Sequence, residues 1–303
     1  MVQAHRIKMI AIVGCTAVGK SETALKLAKR FNGVLIGADS MQIYRKFDIG
    51  TGKLTKAECD GVEHKLIDIV DGDADFSVGE YVELADKEIN SAHSRGKLPI
   101  IVGGTGMYVY SLLSGCNFGN TPKNEQLRKS LKVSSHFFGA KVMHELLRNV
   151  DNTSANKIAV HDCKRVIRAL EIYAVNGEPK SSVAEHNESA YDALTIVLTL
   201  PRDVLYDRIN KRVCKMFDDG LINEAMELSR YKNCGSMQAL GYKQIMADPT
   251  ASREQLEELT ARKTRNYAKR QITYFKNMKL NKIFIDARDY NEVELSVKNF
   301  LEQ

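Results

Sequence analysis

The chain has 303 residues, 44 of them Lys or Arg and 38 Asp or Glu, for a formal charge of +6. A domain of about 300 residues buries roughly 75% of the surface its unfolded chain would expose, so no disulfide or metal staple is required. With 44% hydrophobic and 27% charged residues, the composition excludes a disordered chain, collagen, a coiled coil and a disulfide scaffold. The six cysteines, at 15, 59, 116, 163, 214 and 234, form no CxxC pair. Zinc-ribbon spacing is therefore absent, and free thiols are expected.

Residues 5–13 run basic then apolar, like a signal peptide, but the apolar part is short and ends in a glycine-rich loop. Ile7, Met9, Ile10, Ala11, Ile12 and Val13 predict a strand buried on both faces over residues 6–13. A helix follows over 21–30 and a second buried strand over 34–38. Residues 98–122 carry no charge, yet seven of them are Gly or Pro. A membrane helix needs about 20 mostly apolar residues, so this segment reads as a buried strand (98–102), a glycine loop and a helix. Residues 123–188 show only helical stretches, at 124–132, 141–148, 155–158 and 163–175. Further buried strands are expected at 194–200 and 282–285, and further helices at 205–217, 222–231 and 253–277. Short apolar strands alternating with helices predict an α/β fold. Its parallel sheet would be flanked by helices over residues 1–120 and 190–303, with a helical insertion domain over 121–189.

The strongest local signal is Gly14-Cys15-Thr16-Ala17-Val18-Gly19-Lys20-Ser21, which matches GxxxxGK[ST] between a strand and a helix. Glycines let the backbone curl so that N–H groups point at phosphate oxygens, and the helix N-terminus adds partial positive charge. Lys20 supplies a cation for the terminal phosphates, and the Ser21 hydroxyl suits Mg²⁺, which keeps waters and phosphate oxygens as its other ligands. The fold class is thus P-loop NTPase-like, and ATP-binding is one expectation for the loop. An NTPase also needs an acid at the end of another strand. Asp68 and Asp286 sit in such positions, but each reads as structural.

After the second strand comes Asp39-Ser40-Met41-Gln42-Ile43-Tyr44. Ligands of open α/β sheets lie outside the carboxyl ends of the strands, so Asp39 belongs beside the phosphate loop. It could bind Mg²⁺ through water or accept a proton; a helix cap is the plainer role. Between Ala261 and Lys282 there are eight Lys or Arg and no acid, with Tyr267, Tyr274 and Phe275 interleaved. Such a stripe attracts polyanions, although a solvated helix face has the same composition.

Nine blocks, in order and over nearly the whole chain, resemble the tRNA dimethylallyltransferase (tRNA isopentenyltransferase) family. They are GCTAVGKS, the block from Asp39 to Tyr44, DIGTGK from Asp48, HKLID from His64, FSVGEY from Phe76, PIIVGGTGMY from Pro99, DCKRVIRALE from Asp162, QALGYK from Gln238, and YAKRQ from Tyr267 with its following Tyr274-Phe275-Lys276. Cys15 replaces the family's proline and Tyr274 its tryptophan. No C-terminal zinc finger like that of many eukaryotic members is found, so a compact bacterial-type enzyme is expected.

The resemblance implies transfer of a dimethylallyl group from dimethylallyl diphosphate to the exocyclic N6 amine of adenine 37 of tRNA, next to the anticodon, with diphosphate leaving. Asp39 would be the base. Lys20, Thr105 and Arg212 would contact the diphosphate, with Mg²⁺ on Ser21; Arg212 could instead form a surface ion pair with Asp207 or Asp203. The tRNA would meet Asp39, Ser40, Met41, Gln42, the segment Lys164, Arg165, Val166, Ile167 and Arg168, and the turn Gln238, Ala239, Leu240, Gly241, Tyr242 and Lys243. A cytoplasmic monomer with no membrane association is expected. Adenylate isopentenyltransferases, acting on free AMP, ADP or ATP, share the loop but need no tRNA surface, so Arg165, Arg168 and the GY turn weigh against them. A P-loop kinase would carry the same loop and release the γ-phosphate of ATP. A non-catalytic RNA-binding protein could keep the fold, but intact Asp39, Lys20, Ser21 and Thr105 weigh against it.

Overall fold

A computed structural model describes residues 6–115, 121, 124–183 and 189–303. His5, Cys116, Gly119, Pro122 and the expected domain edge at residue 120 lie outside the described residues. The chain divides into two compact units, Met1–Leu113 with Ser189–Gln303, and Ser114–Glu188.

The first unit begins with β1 (Ile7–Gly14), α1 (Lys20–Arg30) and β2 (Gly33–Gly37). Two short elements follow, α2 (Lys56–Cys59) and β3 (His64–Lys65). Then come α3 (Val78–Ser94), β4 (Leu98–Gly103) and α4 (Gly106–Leu113). The second unit holds α5 (Glu125–Val150), α6 (Asn152–Lys157), α7 (Cys163–Asn176) and α8 (Lys180–Val183). The first unit resumes with β5 (Tyr191–Thr199), α9 (Arg202–Asp218), α10 (Leu221–Glu227) and α11 (Tyr242–Ala247). It ends with α12 (Arg253–Asn277), β6 (Ile283–Asp286) and α13 (Tyr290–Glu302).

Six strands form one parallel sheet in the order β3-β2-β4-β1-β5-β6. Strand β1 lies inside it, with Ile10 opposite Ile100 of β4 and Leu194 of β5. Its residues Met9 to Val13 are completely buried, because Ile10 and Ile12 face one apolar layer while Met9, Ala11 and Val13 face the other. Burial on both faces explains why the strand reads as a continuous apolar run. Leu27 of α1, Ile209 of α9 and Tyr242 pack in the first layer; Tyr81, Val109 and Phe275 pack in the second. Since all strands run the same way, their carboxyl ends share one edge, and the turns after β1, β2 and β4 meet there.

Several elements differ from the sequence expectation. Strand β6 is buried only at Ile285: it is the sheet edge, and Phe284 is 50% exposed. Helix α3 starts at a capping box in which Ser77 and Glu80 each bond the other's backbone N–H, a signal present in the sequence. The stretches at 124–132 and 141–148 belong to one helical run, broken at Gly139 where φ is 80° and ψ 165°.

The second unit has its own small core of Met143, Leu147, Ala155, Ile158, Val166 and Ala169. Beside it Glu171, with no exposed surface, accepts from the Asn124 N–H at 2.8 Å, Arg128 Nε at 2.8 Å and Arg168 Nη1 at 2.7 Å. Burial works to raise the Glu171 pKa, but these donors outweigh it and hold the carboxyl below its usual range. Glu171→Gln keeps the shape and leaves two guanidiniums short of a counter-charge. It should destabilise this unit by on the order of 3 kcal/mol, read by chemical denaturation at pH 7. Because the folded-state pKa is depressed, this contribution is present above the unfolded carboxyl pKa and fades as pH falls through the folded value. Equal stability of the two proteins at pH 7 would refute the role.

Candidate active site

The turn after β1 curls around Gly14, where φ is 143° and a Cβ would lie 2.7 Å from the Leu198 carbonyl oxygen. Only glycine tolerates that approach. Ala17 also adopts positive φ, 62°, so the loop bends sharply before α1 begins at Lys20. Cys15 is buried and burial pushes its thiol pKa up, which leaves it a neutral packing group. Lys20 Nζ donates to the Cys15 carbonyl at 2.7 Å. Burial depresses the Lys20 ammonium to about 8, opposed by the negative charge of Asp39 and aided by Arg212. A lysine folded onto a carbonyl and short of solvent is ready to exchange that contact for an anion.

The turn after β2 carries Asp39. Its Oδ1 accepts from the Met41 N–H at 2.9 Å, closing a local turn rather than capping a helix. Oδ2 has no hydrogen bond among the described residues. The carboxylate lies within electrostatic reach of Lys20 and Arg212, and it helps raise the pKa of the Tyr108 and Tyr267 hydroxyls, for which burial is the larger cause. Asp39 therefore lies within electrostatic reach of two cations and two phenols, past the carboxyl end of β2 where its sequence position puts it.

Thr105, after β4, ties the second glycine turn to this one. Its Oγ1 accepts from the Ser40 N–H at 2.9 Å and donates to Ser40 Oγ at 3.2 Å, while its own N–H bonds the Ala38 carbonyl at 3.1 Å. The hydroxyl expected to donate to a phosphate oxygen is thus already engaged with Ser40.

Arg208 and Arg212 lie one turn apart on α9, Arg208 exposed and Arg212 half-buried. Arg208 Nη1 donates to the Val18 carbonyl of the phosphate loop at 3.3 Å, and Arg212 Nη2 to the Thr51 carbonyl at 3.3 Å. Asp207 instead pairs with Lys211 at 2.8 Å, so the surface ion pair considered for Arg212 does not form. Gln42 Nε2 donates to the Thr51 and Gly52 carbonyls at 3.1 and 3.2 Å. Gly52, at φ 59°, lies so close to Arg212 that a Cβ would fall 1.9 Å from Nη2. Sequence reasoning assigned Gly52 no role of its own; only the fold brings it under the guanidinium.

The GY turn is partly internal. Tyr242 is fully buried and Ala239 is 4% exposed, so neither side chain can meet a macromolecule. The Tyr242 hydroxyl donates to Glu224 and accepts from the Gly50 N–H at 3.0 Å. Glu224 also takes the Ile49 N–H at 3.0 Å. This pair anchors residues 48–50, and Glu224 is a second contributor that the sequence did not single out. Gln238 and Lys243 are exposed, Leu240 is half-buried and Gly241 is buried.

In the second unit, Val166 and Ile167 are core side chains, and Arg168 is committed to Glu171 and, at 3.1 Å, to the Thr121 carbonyl. Of that segment Lys164 and Arg165 are exposed, with Arg165 paired to Asp162 at 3.3 Å. On α12, Ala261, Ala268, Gln271 and Phe275 face inward while Arg262, Lys263, Lys269, Arg270 and Lys276 are exposed. A cavity of about 570 Å³ opens beside this face, lined by Lys269, Arg270, Lys279, Tyr110 and Tyr274 among others. Asp68 pairs with Lys53, and Asp286 with Arg288 at 2.7 Å, so both strand-end acids are already in ion pairs. Among the described residues no cluster of three His, Cys, Asp or Glu could hold a metal ion, and no helix is long and apolar enough to cross a membrane.

The IPP transferase family model matches residues 42–278. The chain is 43% identical to the tRNA dimethylallyltransferase of Halalkalibacterium halodurans, over 97% of this chain and 96% of that one. It is 41% identical to the tRNA dimethylallyltransferase of a Thermoanaerobacter species, over 97% and 98%. Among solved structures it is similar to the full-length tRNA isopentenylpyrophosphate transferase of Bacillus halodurans, with a TM-score of 0.71, 41% identity and 97% of each chain covered. It is also similar to a eukaryotic dimethylallyltransferase captured acting on tRNA, with a TM-score of 0.85 and 27% identity, over 98% of this chain and 80% of that one.

Two outcomes test the geometry of the cradle. Lys20 is charged below about 8 and neutral above it. The gap in inorganic pyrophosphate affinity between the wild type and Lys20→Gln, measured by calorimetry, should therefore shrink as pH rises from about 7 to about 9. A gap constant across that range would contradict a buried ammonium in the cradle. Gly52→Ala should displace Arg212 and weaken pyrophosphate binding by roughly tenfold, with a modest drop in thermal midpoint from the side chain at positive φ; unchanged affinity would show that Arg212 does not face the anion.

Proposed function

The chain belongs to the IPP transferase family, and from that premise we propose that it is a tRNA dimethylallyltransferase working through the edge where Lys20, Arg212 and Asp39 meet. It moves a dimethylallyl group from dimethylallyl diphosphate to the N6 amine of adenine 37 of tRNA. The observation that carries this reading is the placement of one carboxylate, Asp39, within electrostatic reach of both cations of a phosphate cradle. Such a site can hold an anionic leaving group and a proton acceptor at the same time.

The loop amides between Gly14 and Ser21, with Lys20 and Arg212, take the diphosphate, and Arg208 braces the loop through the Val18 carbonyl. Donors fixed in advance are worth most where negative charge grows in the transition state. Thr105 reaches a diphosphate oxygen only by exchanging its Ser40 contact. Ser21, at the start of α1, is the residue that would hold Mg²⁺, an ion that draws most of its ligands from water and phosphate oxygens. When bound, Mg²⁺ supplies further charge to offset the leaving diphosphate.

The adenine must leave its stack to reach this edge. Its exocyclic amine is a weak nucleophile because its lone pair is delocalised into the ring. Oδ2 of Asp39 accepts the amine proton as the new carbon–nitrogen bond forms. The allylic carbon–oxygen bond breaks, and its electron pair leaves with the diphosphate. Ser40, Met41 and the carbonyl oxygen of Gln42 flank the base. The Gln42 amide nitrogen is held by residues 51–52, which fixes how its oxygen is presented. Lys164, Arg165, Gln238, Lys243 and the outer face of α12 offer exposed groups to the RNA backbone, where phosphate contacts position and base contacts specify. The reading takes the monomer as the working unit, in the cytoplasm with its tRNA.

The direct test is incubation of labelled dimethylallyl diphosphate and Mg²⁺ with unmodified tRNA or with AMP, followed by nucleoside analysis. Label should enter tRNA adenine and not AMP; the reverse would make the protein an adenylate isopentenyltransferase. Asp39→Ala should lower turnover by about 10²-fold or more while tRNA still binds in a filter assay, and wild-type turnover would remove Asp39 as the base. tRNA affinity should fall steeply as salt rises; a flat response would exclude the cationic face of α12 as an RNA surface.

A further inference from the structure

Gln271 lies on the inner face of α12 and is 6% exposed. Its Oε1 accepts from the Thr16 N–H of the phosphate loop at 2.9 Å. Its Nε2 donates to the carbonyl of Gly104, in the second glycine turn, at 2.8 Å. One neutral side chain therefore bridges the turns that follow β1 and β4. The gap it fills has backbone on both sides: a Cβ on Gly104 would lie 2.5 Å from Nε2 and 3.3 Å from the Gly14 carbonyl. Only glycine at 104 leaves room for the strut. Three residues further along the same helix, the Tyr274 ring closes over Gly106, where a Cβ would fall 2.2 Å from Cδ1. Helix α12 thus grips the second glycine turn twice and the phosphate loop once.

We infer that Gln271 is a positioning residue for the prenyl diphosphate, setting the curl of the phosphate loop by holding the Thr16 N–H against the second glycine turn. The inference rests on the diphosphate-binding role proposed for that loop. The chemistry needs an acceptor and a donor on one short uncharged group. Asparagine is a methylene too short, glutamate has no donor when ionised, and methionine has the length and neither function. Without the strut, the Thr16 N–H and the Gly104 carbonyl each lose a buried partner, which is costly enough to make the loop rearrange. Gln271 is given no contact with substrate; it acts on binding through Thr16.

The test uses the full chain with Gln271→Met and Gln271→Glu. Calorimetry with inorganic pyrophosphate and Mg²⁺ reports the cradle directly, and steady-state kinetics separate KM for dimethylallyl diphosphate from KM for tRNA. Gln271→Met should raise the pyrophosphate Kd and the KM for dimethylallyl diphosphate about tenfold, or about 1.4 kcal/mol, with KM for tRNA unchanged. Gln271→Glu should be impaired relative to wild type at pH 8, where its carboxylate faces the Gly104 carbonyl. The impairment should shrink at pH 6, where a protonated carboxyl again has both an acceptor and a donor. A side chain that only fills space would show no such recovery. If Gln271→Met does not fold, the pH comparison on Gln271→Glu decides. Wild-type affinity in both variants, or an impairment of the Glu variant equal at both pH values, overturns the inference while leaving the loop assignment intact. Failure of the wild type itself to bind pyrophosphate would overturn the loop assignment and the inference together.

Discussion

The close approach of backbone to backbone at the carboxyl edge of the parallel sheet is the constraint on which the rest depends. The turn after β1 runs against the Leu198 carbonyl, and the turn after β4 runs against the Gly14 carbonyl. A side chain at Gly14 would meet the Leu198 carbonyl at 2.7 Å and drive the first turn off β5, and one at Gly104 would crowd both the Gly14 carbonyl and the Gln271 amide. Because the turns stay together, the ends of β1, β2 and β4 present one small polar surface instead of three separate loops. Ser40 and Thr105 then join the second and third of these turns through side-chain hydrogen bonds.

Charge is distributed unevenly over that surface. Lys20 and Arg212 are both held back from solvent, and burial lowers the pKa of each. In the free protein they make contacts with carbonyl oxygens, at Cys15 and Thr51. Carbonyl dipoles compensate buried cations only partly. In the proposed function an arriving diphosphate would complete the compensation, so the cost of holding these charges back from solvent would become affinity for it. Asp39 moderates the excess without neutralising it, and its Oδ2 has no hydrogen bond among the described residues.

The second unit applies the same physics to a structural end. Glu171 is fully buried and gathers two guanidiniums and a backbone N–H. Asp151 likewise accepts from Ser154 and Ser181, tying α6 to α8 at 2.9 and 3.0 Å. A core of six buried apolar residues is small, and these networks set the register of helices that so little apolar packing would leave loosely specified.

The sequence by itself determined the phosphate loop, the buried central strands, the α/β class and the turn that bears Asp39. Each of these depends on residues adjacent in the chain: glycines at fixed spacing, an uninterrupted apolar run, a carboxylate just past a strand end. Helix α3 was not expected, although Ser77 and Glu80 carried a capping signal for it. The two-residue strand β3 was not legible, because a strand that short has no period to read. Tertiary structure alone decided which polar residues serve the site and which serve the fold. Arg168 has a basic residue's composition but spends its charge on Glu171; Tyr242 has a recognition residue's chemistry but lies in the core, holding Gly50. Gln271 acts on Thr16 across 255 residues of chain. Local pattern cannot anticipate such pairings, because a hydrogen bond depends on where two groups lie in space, and only the packing of the sheet and its helices brings them within reach.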